Sequence, residues 1–193
     1  GGYDREDYLR RYIAFMTTPG RHRDTYIEEC HRIFFSNYAR GRRPEDCGTK
    51  DIHIGGLAHV PVLAAWFAAD EASALDAVRE HVRLTHRGDE VETAARDLTR
   101  MLIAVLGGAD LRESIERFGT GWVGGRRLRE WSSRDDDEIV GRVLSPACYL
   151  RDAFPASLFL AWKHAGDARE ALVSNTNLGG DNCHRGVVIG ALC

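Results

Sequence analysis

Lysine is nearly missing from this 193-residue chain: it occurs only at Lys50 and Lys163, against 24 arginines. With 29 acidic residues the formal net charge is −3, so no broad positive field draws in nucleic acid or an anionic membrane, and neither is expected as a partner. Arginine forks suit individual phosphates, although a genome-wide codon bias explains the same excess. Paired cysteines are missing too. Cys30, Cys47, Cys148, Cys183 and Cys193 form no Cys-x-x-Cys motif and no disulfide framework, a scattered set that fits a reducing, cytoplasmic setting. Long apolar runs are absent. The longest, Leu57 to Ala69, contains His59 and Pro61 and is too short to span a bilayer. No strand alternation, internal repeat or signal peptide is visible. The glycine-rich Gly119 to Gly125 has neither the lysine nor the strand-then-helix setting of a phosphate loop.

What is present is a succession of helices. A hydrophobic fraction of 44% and a charged fraction of 28% describe an ordinary globular protein, and the length suits one domain over residues 1–193. Asp4 is predicted to cap a first helix with Tyr8, Leu9, Tyr12, Ile13, Phe15 and Met16 at helical spacing. Asp24 is predicted to cap a second, with Ile27, Cys30, Phe34 and Tyr38 along one side, after which Arg42 to Gly56 is irregular. A buried helix is expected from Leu57 to Ala69, then one opened by Asp70 or Ser73, then a long amphipathic one capped by Asp89 and ended by Gly107-Gly108. A short helix carrying Leu111, Ile115 and Phe118, another from Arg126 to Trp131 and an Asp152-capped run to Gly166 add three more, with Asp135 to Glu138 a solvated acidic turn. The expected class is all-α, a compact orthogonal multi-helix bundle.

The chemistry gathers near the C-terminus. A helical run from Ala168 breaks at Gly179-Gly180, and Asp181 or Asn182 can cap the next helix. A carboxylate (Asp181), a thiol (Cys183) and an imidazole (His184) thus fall within four positions. Gly186 and Gly190, four apart, would let another backbone approach that helix closely. As a ligand Asp181 suits a hard cation, while Cys183 and His184 suit zinc or another transition metal; a plain cap and a packed thiol are the alternatives. Upstream, Asp51, His53, Gly55, Gly56 and His59 crowd one stretch. Amides freed by Gly55-Gly56 could cradle a phosphate, with Asp51 and His53 in support, and a solvated loop is the other reading. His86 follows a helix and precedes a glycine turn, as a pocket residue or as a charge suited to the helix end.

Gly179-Gly180-Asp181-Asn182-Cys183-His184, running on to Gly190-Ala191, resembles the C-terminal signature of the ADP-ribosylglycohydrolases, which reads Gly-Gly-Asp-x-Asp-Thr before a small-residue helix. Asp181 matches the first aspartate, whereas Cys183 and His184 replace the second aspartate and the threonine. Leu84-Thr85-His86 resembles the family's mid-chain Leu-Thr-His, and Gly1 to Tyr12 its segment just after the first metal motif. The resemblance therefore covers the later two-thirds of such a domain. The Gly-Asp-Ala-x-Gly opening and the Thr-Asp-Asp-Thr loop have no counterpart, and the chain, which opens without methionine, is expected to lack its N-terminal part.

The resemblance implies metal-assisted hydrolysis of the bond joining ADP-ribose to an acceptor, on an ADP-ribosylated protein or a small ADP-ribose derivative. It implies a magnesium pair, with Asp181, Cys183 and His184 at the metal positions, where the changed donors make zinc or manganese an alternative. It places Gly55, Gly56, His86, Asp51 and His53 at the substrate. A non-catalytic relative that binds ADP-ribose or serves structurally, as the lens crystallins of the same superfamily do, is the other reading.

Overall fold

In the computed structural model, which describes residues 2–193, helices carry nearly the whole chain. They are α1 (Arg5–Thr17), α2 (Glu29–Ala39), α3 (Val60–Trp66), α4 (Glu71–Thr85), α5 (Asp89–Leu106), α6 (Leu111–Phe118), α7 (Gly125–Ser132), α8 (Asp136–Ile139), α9 (Leu150–Lys163), α10 (Ala168–Asn177) and α11 (Asn182–Leu192). The all-α expectation holds. The only paired strands among the described residues are two residues long: β1 (Thr49–Lys50) runs parallel to β2 (His86–Arg87).

The bundle is built around α9. Every residue from Ala153 to Trp162 is buried, so this helix is apolar all round, as a central helix must be. Phe154 is fully enclosed, and truncating it to alanine would cost roughly 3–5 kcal/mol. α11 and α10 pack on one side of it and α6 and α7 on another, while α5 lies against α4, α3 and α6. Short polar side chains fix the helix starts: Asp4, Asp70, Asp110, Asp167 and Asp181 each accept a backbone N–H of the first turn.

Several local expectations change. Asp24 accepts from the Tyr26 amide in a tight turn rather than capping α2, which starts only at Glu29 after Glu28. Asp89 is the first residue of α5, behind Gly88, and Asp152 lies inside the first turn of α9. The run from Leu57 is not one buried helix. It is a 3-10 turn, Ile54–Leu57, followed by the short α3, which buries Val60 and Ala64 and exposes Val62 and Trp66, the latter by 79%. The run looked buried because its outward positions are also apolar. The acidic turn is not simply solvated: Asp136, in α8, accepts from Lys163 Nζ at 2.8 Å, His164 Nε2 at 2.8 Å and the Ser174 hydroxyl, and so ties α8 to α9 and α10. No backbone approaches Gly186 or Gly190 closely. A methyl there would meet only side chains of α10, at 3.4 Å or more.

Candidate functional site

The extended stretch around residues 49 to 54 is stitched down on both edges. Thr49 and Lys50 pair with His86 and Arg87, the Asp51 amide donates to Arg87 O, and the Ile54 amide donates to Cys148 O while the Leu150 amide donates to Ile52 O. This seam brings Asp51, His53 and His86 together although 33 residues separate the last two. Asp51 is buried and accepts from the His53 amide at 2.7 Å, with His53 Nδ1 also 2.8 Å away. His86 is 3% exposed. Burial holds its pKa down to about 4 against the opposing pull of Asp51, so it is a neutral imidazole.

Gly55 and Gly56 sit in the following 3-10 turn, and the room their missing side chains leave is filled by protein. A Cβ on Gly55 would lie 3.0 Å from Glu28 Oε1, and one on Gly56 would lie 2.7 Å from Val91 Cγ1 and 3.0 Å from His86 Cγ. The glycine pair thus allows Glu28 and His86 to pack against this turn.

Asp181 and His184 meet at the start of α11. Gly179 and Gly180 both have positive φ, +67° and +64°, and the Asp181 amide then donates to Pro146 O at 2.9 Å. Arg185, fully buried, locks the turn: it donates to Asn175 Oδ1, Pro146 O and Gly179 O at 2.6–2.9 Å. Both Asp181 oxygens lie 3.0 Å from His184 Nδ1. Burial works to raise the Asp181 carboxyl, but the His184 bonds and charge outweigh it and hold it below the ordinary carboxylate range. The same bond raises the His184 pKa against its burial, so the pair stands as carboxylate and imidazolium at its acid end.

A cleft of about 540 Å³ opens beside this pair, walled by α1 (Tyr8, Tyr12, Phe15), the segment before α2 (Tyr26, Glu28), and His31, His59 and His184. One wall holds a chain of neutral rings. Tyr3 Oη lies 2.8 Å from His81 Nδ1, and His81 Nε2 lies 3.0 Å from His59 Nδ1. Burial lowers the His81 pKa to about 3 and lowers that of His59, so neither ring carries charge at neutral pH. If Tyr3 donates, His81 must donate onward, and His59 Nε2–H is left as a donor at the cleft. Tyr12 Oη and His31 Nδ1, 2.7 Å apart, form a second pair.

The structure thus joins His184 and Asp181 to the cleft and seats His86, Gly55 and Gly56 behind Glu28. Cys183 is exposed, with its only bond to Asn182 Oδ1 at 3.7 Å. Sequence reading gave no site role to Glu28, Cys30, His31 or His81, and placed His59 only in the crowded stretch with Asp51 and His53. The available signal was Glu28-x-Cys30-His31, three reactive side chains at one helix start.

The loop's donors do not fit a pair of magnesium ions. Two hard ions need several bridging carboxylates, and this loop offers one, with both oxygens engaged by His184. Among the described residues, the one group of three metal-type donors that converges is Glu28, Cys30 and His86, not Asp181, Cys183 and His184. No helix among the described residues is long and apolar enough to cross a membrane.

An all-α bundle with an aromatic, histidine-rich cleft against a Gly-Gly-Asp helix start defines the class of the protein. The chain belongs to the ADP-ribosylglycohydrolase family, whose model it matches over residues 1–193. None of the curated proteins compared with the chain matches it.

Proposed function

We propose that this chain binds the ADP-ribose moiety of an ADP-ribosylated protein or small derivative in the cleft and hydrolyses its bond at C1″. The match to the family over the whole chain carries this reading, and the cleft supports it. A volume of about 540 Å³ lies within the roughly 300–1,000 Å³ usual for pockets that take such ligands. Exposed Tyr26 and Phe15 offer ring faces to a base, and the neutral His59 N–H offers a donor to phosphate or ribose oxygens.

His184 is the group placed for proton transfer. Asp181 holds Nδ1, so Nε2 remains for the substrate, and the same carboxylate raises the His184 pKa, which favours the proton-bearing ring. The C1″ bond breaks with its electron pair leaving on the acceptor atom, which takes that proton. Water adds at C1″, and its surplus proton restores His184. No step is assigned to magnesium.

Release of ADP-ribose from an ADP-ribosylated peptide tests this directly. Turnover that falls at least tenfold in His184→Ala while the fold is kept supports it. Turnover that is unchanged in His184→Ala refutes the role of that residue. Binding of ADP-ribose without any turnover would establish the non-catalytic reading instead, which the replacement of two family donors by Cys183 and His184 favours.

A further inference from the structure

We propose that Glu28, Cys30 and His86 form a binding site for one divalent cation of the zinc class, behind the cleft wall and separate from the Asp181 loop. A carboxylate oxygen of Glu28, the Cys30 sulfur and a His86 ring nitrogen all lie within 4.8 Å of one another. They come from the residue before α2, the first turn of α2 and the start of β2, three places that only the folded chain unites.

The second observation is the state of His86. Its Nε2 is the one buried side-chain nitrogen or oxygen among the described residues without a hydrogen-bond partner. A buried polar atom left unpaired costs about 1–3 kcal/mol, and His86 is 97% enclosed, so no loose surface explains it. The other ring nitrogen is already placed: Nδ1 lies 2.9 Å from the Thr85 hydroxyl. With the Thr85 hydroxyl accepting from Nδ1–H, the Nε2 lone pair is left for a metal, the arrangement that metal-binding imidazoles use.

Cys30 and Glu28 face each other, Sγ to Oε2 at 3.9 Å, and Cys30 is wholly buried. One sulfur, one nitrogen and one oxygen suit zinc or cobalt rather than magnesium, and three protein ligands leave a fourth position for water. In a tetrahedral centre with bonds of about 2.0–2.3 Å the donor atoms stand roughly 3.3–3.7 Å apart. The site therefore needs to close by about 1 Å, and Glu28, half-buried on the cleft wall, is the ligand whose side chain would swing inward. Gly55 and Gly56 let Glu28 and His86 pack together against this turn, since a Cβ at either would crowd them. The site stands on this geometry whether or not the cleft takes ADP-ribose.

The test is a titration of the chelator-stripped full chain with cobalt(II), read by absorption. One equivalent should give a thiolate-to-cobalt charge-transfer band and the visible bands of a tetrahedral ion, and zinc should remove both. Cys30→Ser should abolish the charge-transfer band, whereas Cys183→Ser and Cys148→Ser should leave it. Absence of the band, or its loss with Cys183→Ser or Cys148→Ser instead, overturns the proposal. Should Cys30→Ser not fold, Glu28→Gln at its half-buried position decides: affinity for cobalt falling about tenfold or more supports the site, and unchanged affinity overturns it.

Discussion

Gly180→Ala should be far more damaging than Gly179→Ala, although the two glycines adjoin and share the left-handed conformation. At Gly179, φ is +67° and a Cβ would meet nothing within 4 Å, so only the conformational cost of roughly 1–2 kcal/mol applies. At Gly180 the same cost applies at φ +64°, and a Cβ would also lie 2.1 Å from Pro146 O and 2.7 Å from Pro146 C. Those are backbone atoms, and Pro146 O is itself held by Arg185 and the Asp181 amide, so it cannot swing aside. Forcing such a contact adds roughly 1–3 kcal/mol. For a chain of this size each kcal/mol moves the midpoint by about 2–4 °C, so Gly180→Ala should melt about 2–12 °C below Gly179→Ala. Thermal unfolding by circular dichroism reads the difference. Equal midpoints would refute the claim that the Pro146 contact, rather than positive φ alone, fixes the Asp181 turn.

Three further outcomes are expected. His81 is held neutral in the folded chain, its pKa lowered from 6.5 to about 3, so the unfolded chain binds a proton that the folded one does not as pH falls between those values. Stability should therefore drop by about 1.4 kcal/mol per pH unit below pH ~6.5 on its account, and urea unfolding of His81→Asn should show a shallower acid loss. The folded pKa of His184 is raised, so its contribution is full below the ordinary histidine pKa and is lost as pH rises through the folded value; NMR titration should place it above the usual range, and Asp181→Asn should bring it down. Replacing Cys183 by Asp and His184 by Thr restores two hard donors at the loop, so calorimetry should show magnesium binding in the double variant that the unmodified chain lacks.

Much of the fold could be read from the sequence because helix starts are local. Asp4 caps where its spacing predicted, and Asp70 and Asp181 are the capping members of the pairs with Ser73 and Asn182, since a cap needs only a short side chain and the next turn. Asp24 misled because the same side chain closes a tight turn equally well, and only tertiary packing chose between them. The site was half legible. Asp181, His184 and His86 stood out by motif, but their partners lie across the chain. The seam from Thr49 to Ile54 joins residues of β2 and the start of α9, and two-residue strands leave no period to detect. The ring chain from Tyr3 through His81 to His59 spans 78 residues in sequence, and no local pattern announces it.

Calorimetric titration with ADP-ribose shows whether the cleft beside Asp181 and His184 receives that ligand. Saturable binding of one equivalent is expected, weakened about tenfold, or 1.4 kcal/mol, by His59→Ala and by His184→Ala. Arg96→Ala, in a separate cavity between α4 and α5, should leave it unchanged. Absence of binding, or affinity lost with Arg96→Ala and kept in both histidine variants, would contradict the account.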